Sequence, residues 1–374
     1  MTKAVSTAVA ARSFQEASKL LQINTDLIIS ARHLQDLARE VGDELAAQRL
    51  ETTEAFRAWP LNSPRTQASP PIPLAVVMVD GGRIQTRKPG SGPGVHEPAW
   101  RETKTAILLR MSREPSSVDP RPDLPECFRH PLQTPATATA TATATASPPD
   151  TTTDRAPEIL FRTGLASLKD SDDFGRQVAG AAEERGFSSA AETAFVGDGL
   201  AYNWIIHRRH FQSFTPILDF VHASEHIHAA ARASDQSGER WAALCWQGRA
   251  SEVIQEIAAQ RDRLTPPADP KTEPDHPRCI LDRELGYLAN NLSRMNYPQY
   301  RLRGLPITSA PMESWVKMLS RRVKGSEKFW NDDRNAEAIL HLRCAWLGDD
   351  DALVEHLAAR PGHPYARPRP RMAA

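Results

Sequence analysis

The chain lacks several features that define common protein classes. Its 374 residues include only four cysteines, and none of them forms a CxxC pair: Cys127, Cys245, Cys279 and Cys344. This spacing argues against a zinc knuckle or a disulfide framework and makes a reducing cytoplasm the expectation. The chain also lacks net charge, since 46 basic residues balance 46 acidic ones, so any surface for a polyanion must be local. No segment reaches the roughly 18–20 apolar residues of a membrane-spanning helix, and the N-terminus has no apolar signal core, so we expect neither export nor a membrane.

The length is sufficient for more than one folded unit, because single hydrophobic cores stop growing at roughly 250–300 residues. A Pro-rich segment separates an N-terminal helical pattern from apolar β-forming runs. Further along, a strict Ala/Thr alternation offers no side chains that could form a core. We therefore expect an N-terminal helical region at 1–60, the first part of an α/β domain at 61–133, a low-complexity insertion at 134–154, the rest of the α/β domain at 155–348 and a C-terminal tail at 349–374.

The N-terminal region has a helical pattern from Phe14 to Arg49 that is interrupted once by turn residues. Ser30 is the predicted N-cap of the second helix. The pattern is compatible with a helix-turn-helix whose second helix contacts DNA, and equally with an ordinary α-hairpin packed on the core. The candidate DNA contacts on this helix are Arg32, His33, Gln35 and Arg39.

Apolar β-forming runs that end in aspartate mark the predicted strands. "LAVVMVD" ends at Asp80, "TAFVGDG" leads to Asp198, and "TPILDFVH" ends near Asp219. Helical patterns alternate with these runs, which predicts a mixed α/β sheet flanked by helices. The segment "GGRIQTR" after Asp80 is typical of a hairpin, because Asp-Gly tolerates the positive φ of a tight turn.

The role of these aspartates depends on whether the fold brings their carboxylates together at one end of the sheet. Open α/β sheets place their sites at the carboxyl ends of strands. At one sheet end, Asp80 and Asp198 would repel each other unless a cation lay between them. Mg²⁺ suits that place, because it is held by a few carboxylates and by phosphate oxygens of a substrate. The alternative for Asp80 is a plain turn residue.

A third acid lies in "GLPITSAPMESWVKMLSRRVKGSEKFW". Ser309 is the predicted cap of a helix with Pro311 in its first turn. The polar face of this helix carries Glu313 and Lys317 at i, i+4 spacing, which in the simplest interpretation is a solvated ion pair. In the functional interpretation, Glu313 completes a metal site and the basic residues around it bind phosphates, within a locally basic segment.

The stretch "ILDFVHASEHIH" contains an H-x-x-E-H spacing at His222, Glu225 and His226. On one continuous helix such histidines could bind zinc in a metallohydrolase. Because "ILDFV" directly precedes His222, we expect this residue at the exit of a strand, where it orders the edge of an active site or is a buried structural histidine. His226 and His228 are expected to be structural.

Taken together, these segments resemble a known family. "VVMVDGGRI", "VGDGLAYNWI", "ILDFVHASEHI", "YRLRGLPITSAPMESWVKMLSRRVKGSEKFW" and "AEAILHLR" are similar to sequence blocks of the DDE transposases of bacterial insertion sequences, closest to the ISKra type and more broadly to Mutator-like enzymes. The similarity extends from about Gln15 to Trp346, apart from the Ala/Thr insertion. It implies an RNase H-like fold with a helical insertion between Asp219 and Glu313.

The resemblance also implies a catalytic triad of Asp80, Asp198 and Glu313 that holds two Mg²⁺ ions, for which Mn²⁺ can substitute. Asp219 and His222 would form a supporting D-x-x-H element; Asp219 also ends a strand, but the block order favours Asp198 as the second catalytic acid. The implied activity is cleavage and strand transfer at the terminal inverted repeats of the element, by a homo-oligomer assembled on DNA. The predicted DNA-binding residues are Lys317, Arg321, Arg322, Lys324, Arg301, Arg303, Arg32 and Arg39. A catalytically inactive DNA-binding relic is the alternative function, and a zinc hydrolase is a more remote one.

Overall fold

The computed structural model describes residues 1–59, 70–87, 99–130, 156–325 and 328–360. The predicted low-complexity insertion at 134–154 lies outside these ranges. Five strands form one mixed sheet, β1 (Leu74–Thr86), β2 (Ala99–Met111), β3 (Ile159–Ser167), β4 (Thr193–Gly197) and β5 (Thr215–Leu218). Their order across the sheet is β3-β2-β1-β4-β5. The predicted α/β class with a mixed sheet flanked by helices is therefore confirmed.

The sheet combines an antiparallel half with a parallel half. β2 pairs antiparallel with both β1 and β3, whereas β1, β4 and β5 run parallel to one another. β4 and β5 are short, and the parallel part of the sheet is apolar and buried, as Val76–Val77 in β1 and Phe195–Val196 in β4 illustrate. All three parallel strands have their carboxyl ends at the same edge, which is the edge that the sequence marks with aspartates.

The prediction of a hairpin directly after Asp80 is wrong. β1 continues through Gly81 and Gly82 to Thr86, and these two glycines pair with Lys104 and Thr103 of β2. Neither glycine has a positive φ. Their small size matters instead, because a Cβ on Gly81 would lie 2.6 Å from the Tyr202 hydroxyl and one on Gly82 would lie 2.9 Å from the Lys324 ammonium.

Helices flank the sheet, and they precede, separate and follow its strands in the chain. In chain order they are α1 (Thr2–Ala10), α2 (Phe14–Thr25), α3 (Ala31–Arg57), α4 (Ser171–Glu184), α5 (Ala201–His210), α6 (Phe220–Ala233), α7 (Gly238–Trp246), α8 (Ala250–Asp262), α9 (Pro277–Asn291), α10 (Tyr297–Leu302), α11 (Ala310–Val323), α12 (Asp333–Leu347) and α13 (Ala352–Ala359). The predicted tail thus begins with a short helix. In the described ranges, no helix is both long enough and apolar enough to cross a lipid bilayer.

Helix α11 crosses the sheet on the face that carries Asp80. Its indole Trp315 lies directly against Gly164 of β3, where a side chain would collide with the ring. Gly164 pairs with Ile107, which in turn pairs with Met78, two residues before Asp80 and therefore on the same face of β1. The buried apolar residues of α11 are Met312, Trp315, Leu319 and Val323.

The segment between Asp219 and Glu313 is helical. It contains α6 to α10, and α9 packs against α6 and α8. The apolar centre of this bundle is lined by residues such as Ile227, Val253 and Leu288. Two tyrosines attach the bundle to the sheet, since the hydroxyls of Tyr297 and Tyr300 donate to the backbone oxygens of Leu218 and Pro216 in β5.

The N-terminal helices are packed onto the rest of the molecule. Ser30 caps α3 as predicted, accepting a hydrogen bond from the amide of His33. α3 runs on to Arg57 and packs against α12 and α4. Arg343 of α12 donates to the carbonyl oxygen of Val9 at the end of α1 (2.9 Å). The helices α1 to α3 therefore share their core with the sheet domain.

Candidate active site

Asp80 and Asp198 lie side by side at the carboxyl edge of the parallel strands. Val79 pairs with Gly197, so the next residue of each chain segment is one of the two aspartates. Burial raises the pKa of Asp80 to about 6, and the negative charge of Asp198 adds to this increase. Burial also raises the pKa of Asp198, assisted by the charge of Asp219. The edge therefore concentrates negative charge in a half-buried place.

Three neighbours that the sequence did not identify hold Asp198. The fully buried Asn203 donates its amide to the Asp198 carboxylate (2.7 Å) and to the backbone oxygen of Val79 (3.3 Å), which connects β4 to β1. The hydroxyl of Tyr287 donates to the backbone oxygen of Asp198 (2.6 Å). Leu200 donates its amide to the carboxylate (3.0 Å). In the sequence, the only mark of Asn203 is its position in the helical pattern that follows Asp198. Tyr287 has no such mark, because it is far from Asp198 in the sequence.

The buried Asp219 forms an ionic pair with the partly exposed His222 beside the two aspartates. The Nδ1 of His222 is 2.6 Å from Asp219 Oδ2. Burial disfavours the imidazolium, but the hydrogen bond to Asp219 and the charges of Asp219 and Asp198 outweigh it and raise the pKa of His222 to about 10. Burial would raise the pKa of Asp219, yet its bonds to His222 and Ser309 hold that pKa below the usual range. Asp219 is thus a structural anion, and His222 is a fixed cation at the edge of the site.

The position of His222 differs from the prediction. β5 ends at Leu218, Asp219 is the N-cap of α6, and His222 lies in the first turn of that helix. His222 and His226 therefore share one helix, because the capping bond from the Val221 amide to Asp219 starts the helix earlier than the apolar run suggested. His226 bonds through Nδ1 to Glu284 and stacks on the ring of Tyr287, with centroids 3.5 Å apart.

The remaining members of that stretch serve the fold. His228 is buried, with Nε2 3.3 Å from the backbone oxygen of Phe128. Glu225 is exposed. In the described portion of the chain there is no cluster of three or more His, Cys, Asp or Glu side chains arranged to hold a metal ion.

Glu313 lies in the first turn of α11, the helix on the Asp80 face. Its amide bonds to the backbone oxygen of Ser309 (3.1 Å). Ser309 is the N-cap residue, but its hydroxyl does not cap the helix as predicted; it donates to Asp219 (2.9 Å), and its amide does the same (3.0 Å). Asp219 thus anchors the beginning of both α6 and α11. Glu313 is one turn from this anchor, and it does not form a ready-made three-residue metal site with the two aspartates.

Neither protein-family models nor curated proteins match this chain. The function is therefore inferred from the positions and contacts of the chain's own residues.

Two of the predicted DNA-binding arginines are buried inside the fold, and this corrects their assignment. Arg322 donates to the backbone oxygens of Ala8 (3.2 Å) and Arg12 (3.4 Å), and its guanidinium lies 4.3 Å from the ring centre of Phe14. Burial lowers its pKa to about 10. Arg301 makes a two-pronged ion pair with Asp119. A guanidinium committed to such internal partners does not reach a phosphate.

The other predicted basic residues remain at the surface to different degrees. Lys317 and Arg321 are exposed on α11. Arg303 is half-exposed but bound to Glu192 and Thr215. On α3, Arg32 and Arg39 both lie close to Asp36, with N–O separations of 3.2 and 3.7 Å. Their contact with DNA stays a prediction.

Lys324 has a distinct position at the active-site edge. It follows the last residue of α11, and its ammonium lies against Gly82 of β1, two residues beyond Asp80. Burial lowers the pKa of Lys324, while the charge of Asp80 opposes the decrease. Lys324 therefore lies beside the strand that carries Asp80.

Proposed function

We propose that the chain is a DDE-type DNA transposase that cleaves and transfers DNA strands with Asp80, Asp198 and Glu313. The observation that carries the proposal is the pairing of Asp80 with Asp198 at one sheet edge, where each charge is unfavourable without a cation. Catalytic groups with such perturbed pKa values cluster at functional sites. The strand order is compatible with the RNase H-like fold that the sequence resemblance implies.

The donor chemistry of the site fits Mg²⁺. This ion is usually bound by one or two carboxylates, together with waters and phosphate oxygens of the substrate, so it needs no complete protein cage. Asp80 and Asp198 would supply the carboxylates, and Glu313 would approach from α11 on the same face. When bound, such ions activate the attacking water or 3′-hydroxyl and stabilise the leaving oxygen.

The protein's own residues would arrange the reaction. Asn203 fixes the Asp198 carboxylate, and Asp219 fixes the start of the helix that carries Glu313. His222 contributes a positive charge that limits the repulsion among the aspartates. Lys324 at the strand edge, and the exposed Lys317 and Arg321, would bind backbone phosphates of the DNA, which is a sequence-independent task.

The substrates in this proposal are the terminal inverted repeats of the protein's own element and a target DNA. The enzyme would act on them as a homo-oligomer in the cytoplasm. Sequence reading would belong to the N-terminal helices, with Arg32 and Arg39 on the polar side of α3.

The test is a cleavage assay on a plasmid that carries the genomic DNA on both sides of the gene. Wild-type protein with Mg²⁺ or Mn²⁺ is expected to nick or cut at the inverted repeats, while Asp80→Asn and Glu313→Gln abolish cutting and leave DNA binding intact. Full cleavage by either variant would refute the assignment. Binding without cleavage by the wild type would identify the alternative, a catalytically inactive DNA-binding relic.

A further inference from the structure

The β1–β2 ribbon extends beyond the proposed active site and ends in exposed aromatic residues. After Asp80, β1 continues for six residues paired only to β2 among the named strands. Near the end of this ribbon Trp100 is 57% exposed, and Phe329, which follows α11 in the chain, is 47% exposed. Large aromatic side chains are costly to leave in water, so a pair of them at one place marks a contact surface.

Backbone contacts bring the two aromatic residues to the same end of the ribbon. Trp100 pairs directly with Gln85. The carbonyl oxygen of Gln85 accepts a hydrogen bond from the amide of Trp330, the neighbour of Phe329 (2.9 Å), and Arg87 donates its amide back to Trp330 (2.9 Å). Trp330 itself is buried and donates its indole N–H to Val323 at the end of α11 (3.1 Å). The segment that carries Phe329 is therefore fastened to β1 beside Trp100.

Arginine side chains surround these rings. Side chains alternate along a strand, so Arg83 and Gln85 point to the face that Trp100 occupies, and Arg83 is exposed. The guanidinium of Arg87 lies 4.4 Å from the centre of the Phe329 ring. The acid of this face, Glu102, is paired with Lys104 (2.9 Å), so that its charge is compensated.

We propose that Trp100, Phe329, Arg83 and Arg87 form a stacking platform for unpaired bases of single-stranded DNA. Aromatic faces combined with cations are the means by which proteins bind single strands without reading their sequence. The proposal deepens the proposed nuclease function and rests on it for the identity of the strand as DNA. Gln85 lies five residues beyond Asp80, roughly 17 Å along β1 at about 3.4 Å per residue, and the side chains of Arg83 and Gln85 point to the face opposite to that of Asp80.

The direct test measures binding of fluorescent oligothymidylate and of a duplex by anisotropy, with EDTA present so that cleavage cannot contribute. Trp100→Ala and Phe329→Ala are each expected to weaken single-strand binding by about ten-fold and to affect the duplex less, while Trp100→Phe retains most of the affinity. Arg83→Ala is expected to reduce the salt dependence by about one phosphate contact.

The matched control is Leu160→Ala. Leu160 is 58% exposed, almost the same as Trp100, but it lies at the opposite end of the sheet beside Ile159, which pairs with Met111. Its binding is expected to equal that of the wild type. Thermal unfolding of every variant shows whether the fold is intact, and Trp100→Phe provides the answer if Trp100→Ala is unfolded.

Three outcomes would overturn the platform: no single-strand binding by the wild type, unchanged binding by both aromatic variants, or equal losses for single strand and duplex. Because the assay contains no divalent ion, its outcome is independent of the cleavage assay. Loss of single-strand binding in Trp100→Ala together with unimpaired cleavage by Asp80→Asn would support the platform and refute the catalytic assignment of Asp80.

Discussion

The carboxyl group of Asp80 is disfavoured in its charged form by burial and by the nearby Asp198. Without a cation, the charged form of Asp80 destabilises the folded protein. With a cation present, the same carboxylate is a suitable ligand. The burial of Asp80 and the charge of Asp198 therefore predict both a cation site and a measurable loss of folding stability.

Asp80→Asn is expected to stabilise the metal-free protein at neutral pH. The unfolded side chain loses its proton near pH 3.9, whereas the folded one keeps it until pH is about 6. Between these values the folded state binds more protons, so wild-type stability falls as pH rises through this window. The variant lacks this loss and should exceed the wild type by about 1–3 kcal/mol above pH 6, and by nothing below about pH 4.

Denaturant unfolding at both pH values measures this difference. Mg²⁺ should narrow the gap at neutral pH, because it binds and stabilises only the wild type. Asp282→Asn, which changes a half-exposed acid on α9, is the control and should alter stability at neither pH. Equal stability of Asp80→Asn and wild type above pH 6 would contradict the proposed electrostatics.

His222 supplies a second prediction, in a higher pH window than that of Asp80. Its folded pKa of about 10 lies above the unfolded value near 6.5, so its stabilising effect is complete below about pH 6.5 and is lost as pH rises toward 10. His222→Gln should cost about 2–4 kcal/mol near pH 6, because it leaves the buried Asp219 without its cationic partner. The unfolding free energy measured from pH 6 to pH 10 should fall more steeply for the wild type, and parallel curves would exclude the ion pair.

At the scale of secondary-structure elements, tertiary packing determines strand lengths that the local sequence pattern does not specify. The strands ending at Asp80, Asp198 and Asp219 could be predicted, because apolar runs and aspartates are local signals. The continuation of β1 beyond Asp80 could not, since Asp-Gly is also typical of turns and only the register with Lys104 and Thr103 distinguishes the two.

The candidate site shows the same division. The neighbouring positions of Asp80 and Asp198 follow from two predicted strand ends. The roles of Asn203 and Tyr287 depend on long-range contacts, which no local spacing reports. The burial of Arg322 was equally hidden, because an arginine beside exposed basic residues has the same helical pattern whether it meets DNA or the N-terminal helices.

The contact between α11 and the sheet can be tested through a glycine. Gly164→Ala would place a methyl group inside the volume of the Trp315 indole, so we expect a loss of about 1–3 kcal/mol and a displaced α11. Gly286→Ala is the matched control, because a Cβ at this position in α9 meets no atom within 4 Å. That change should instead stabilise by about 0.5–1 kcal/mol. Thermal unfolding compares them, and a neutral Gly164→Ala would show that α11 does not pack there.

At the scale of the whole molecule, the N-terminal helices and the sheet domain are one body. Arg322 of α11 and Arg343 of α12 donate hydrogen bonds to backbone oxygens near the end of α1. A DNA sequence read by α3 would thus be connected to the cleavage site through a shared core.

This unity gives a prediction for two adjacent arginines. Arg322→Met should cost about 2–4 kcal/mol, because it leaves the carbonyl oxygens of Ala8 and Arg12 without their donor inside the core. Arg321→Met should change stability by less than about 0.5 kcal/mol, since this side chain is exposed. In DNA binding the order reverses: Arg321→Met should lower the salt slope by about 0.9. A large slope change for Arg322→Met with unchanged stability would contradict its buried role.

The central claim is that Asp80 and Asp198 together bind a divalent cation. Titration calorimetry with Mn²⁺ tests it most directly, on the wild type, on Asp80→Asn, on Asp198→Asn and on the control Asp282→Asn. Binding is expected for the wild type and the control, with a loss of at least about ten-fold in affinity for each active-site variant, because each variant removes one of the few carboxylates that would hold Mn²⁺ at this edge. Unchanged Mn²⁺ affinity in both Asp80→Asn and Asp198→Asn would contradict the claim.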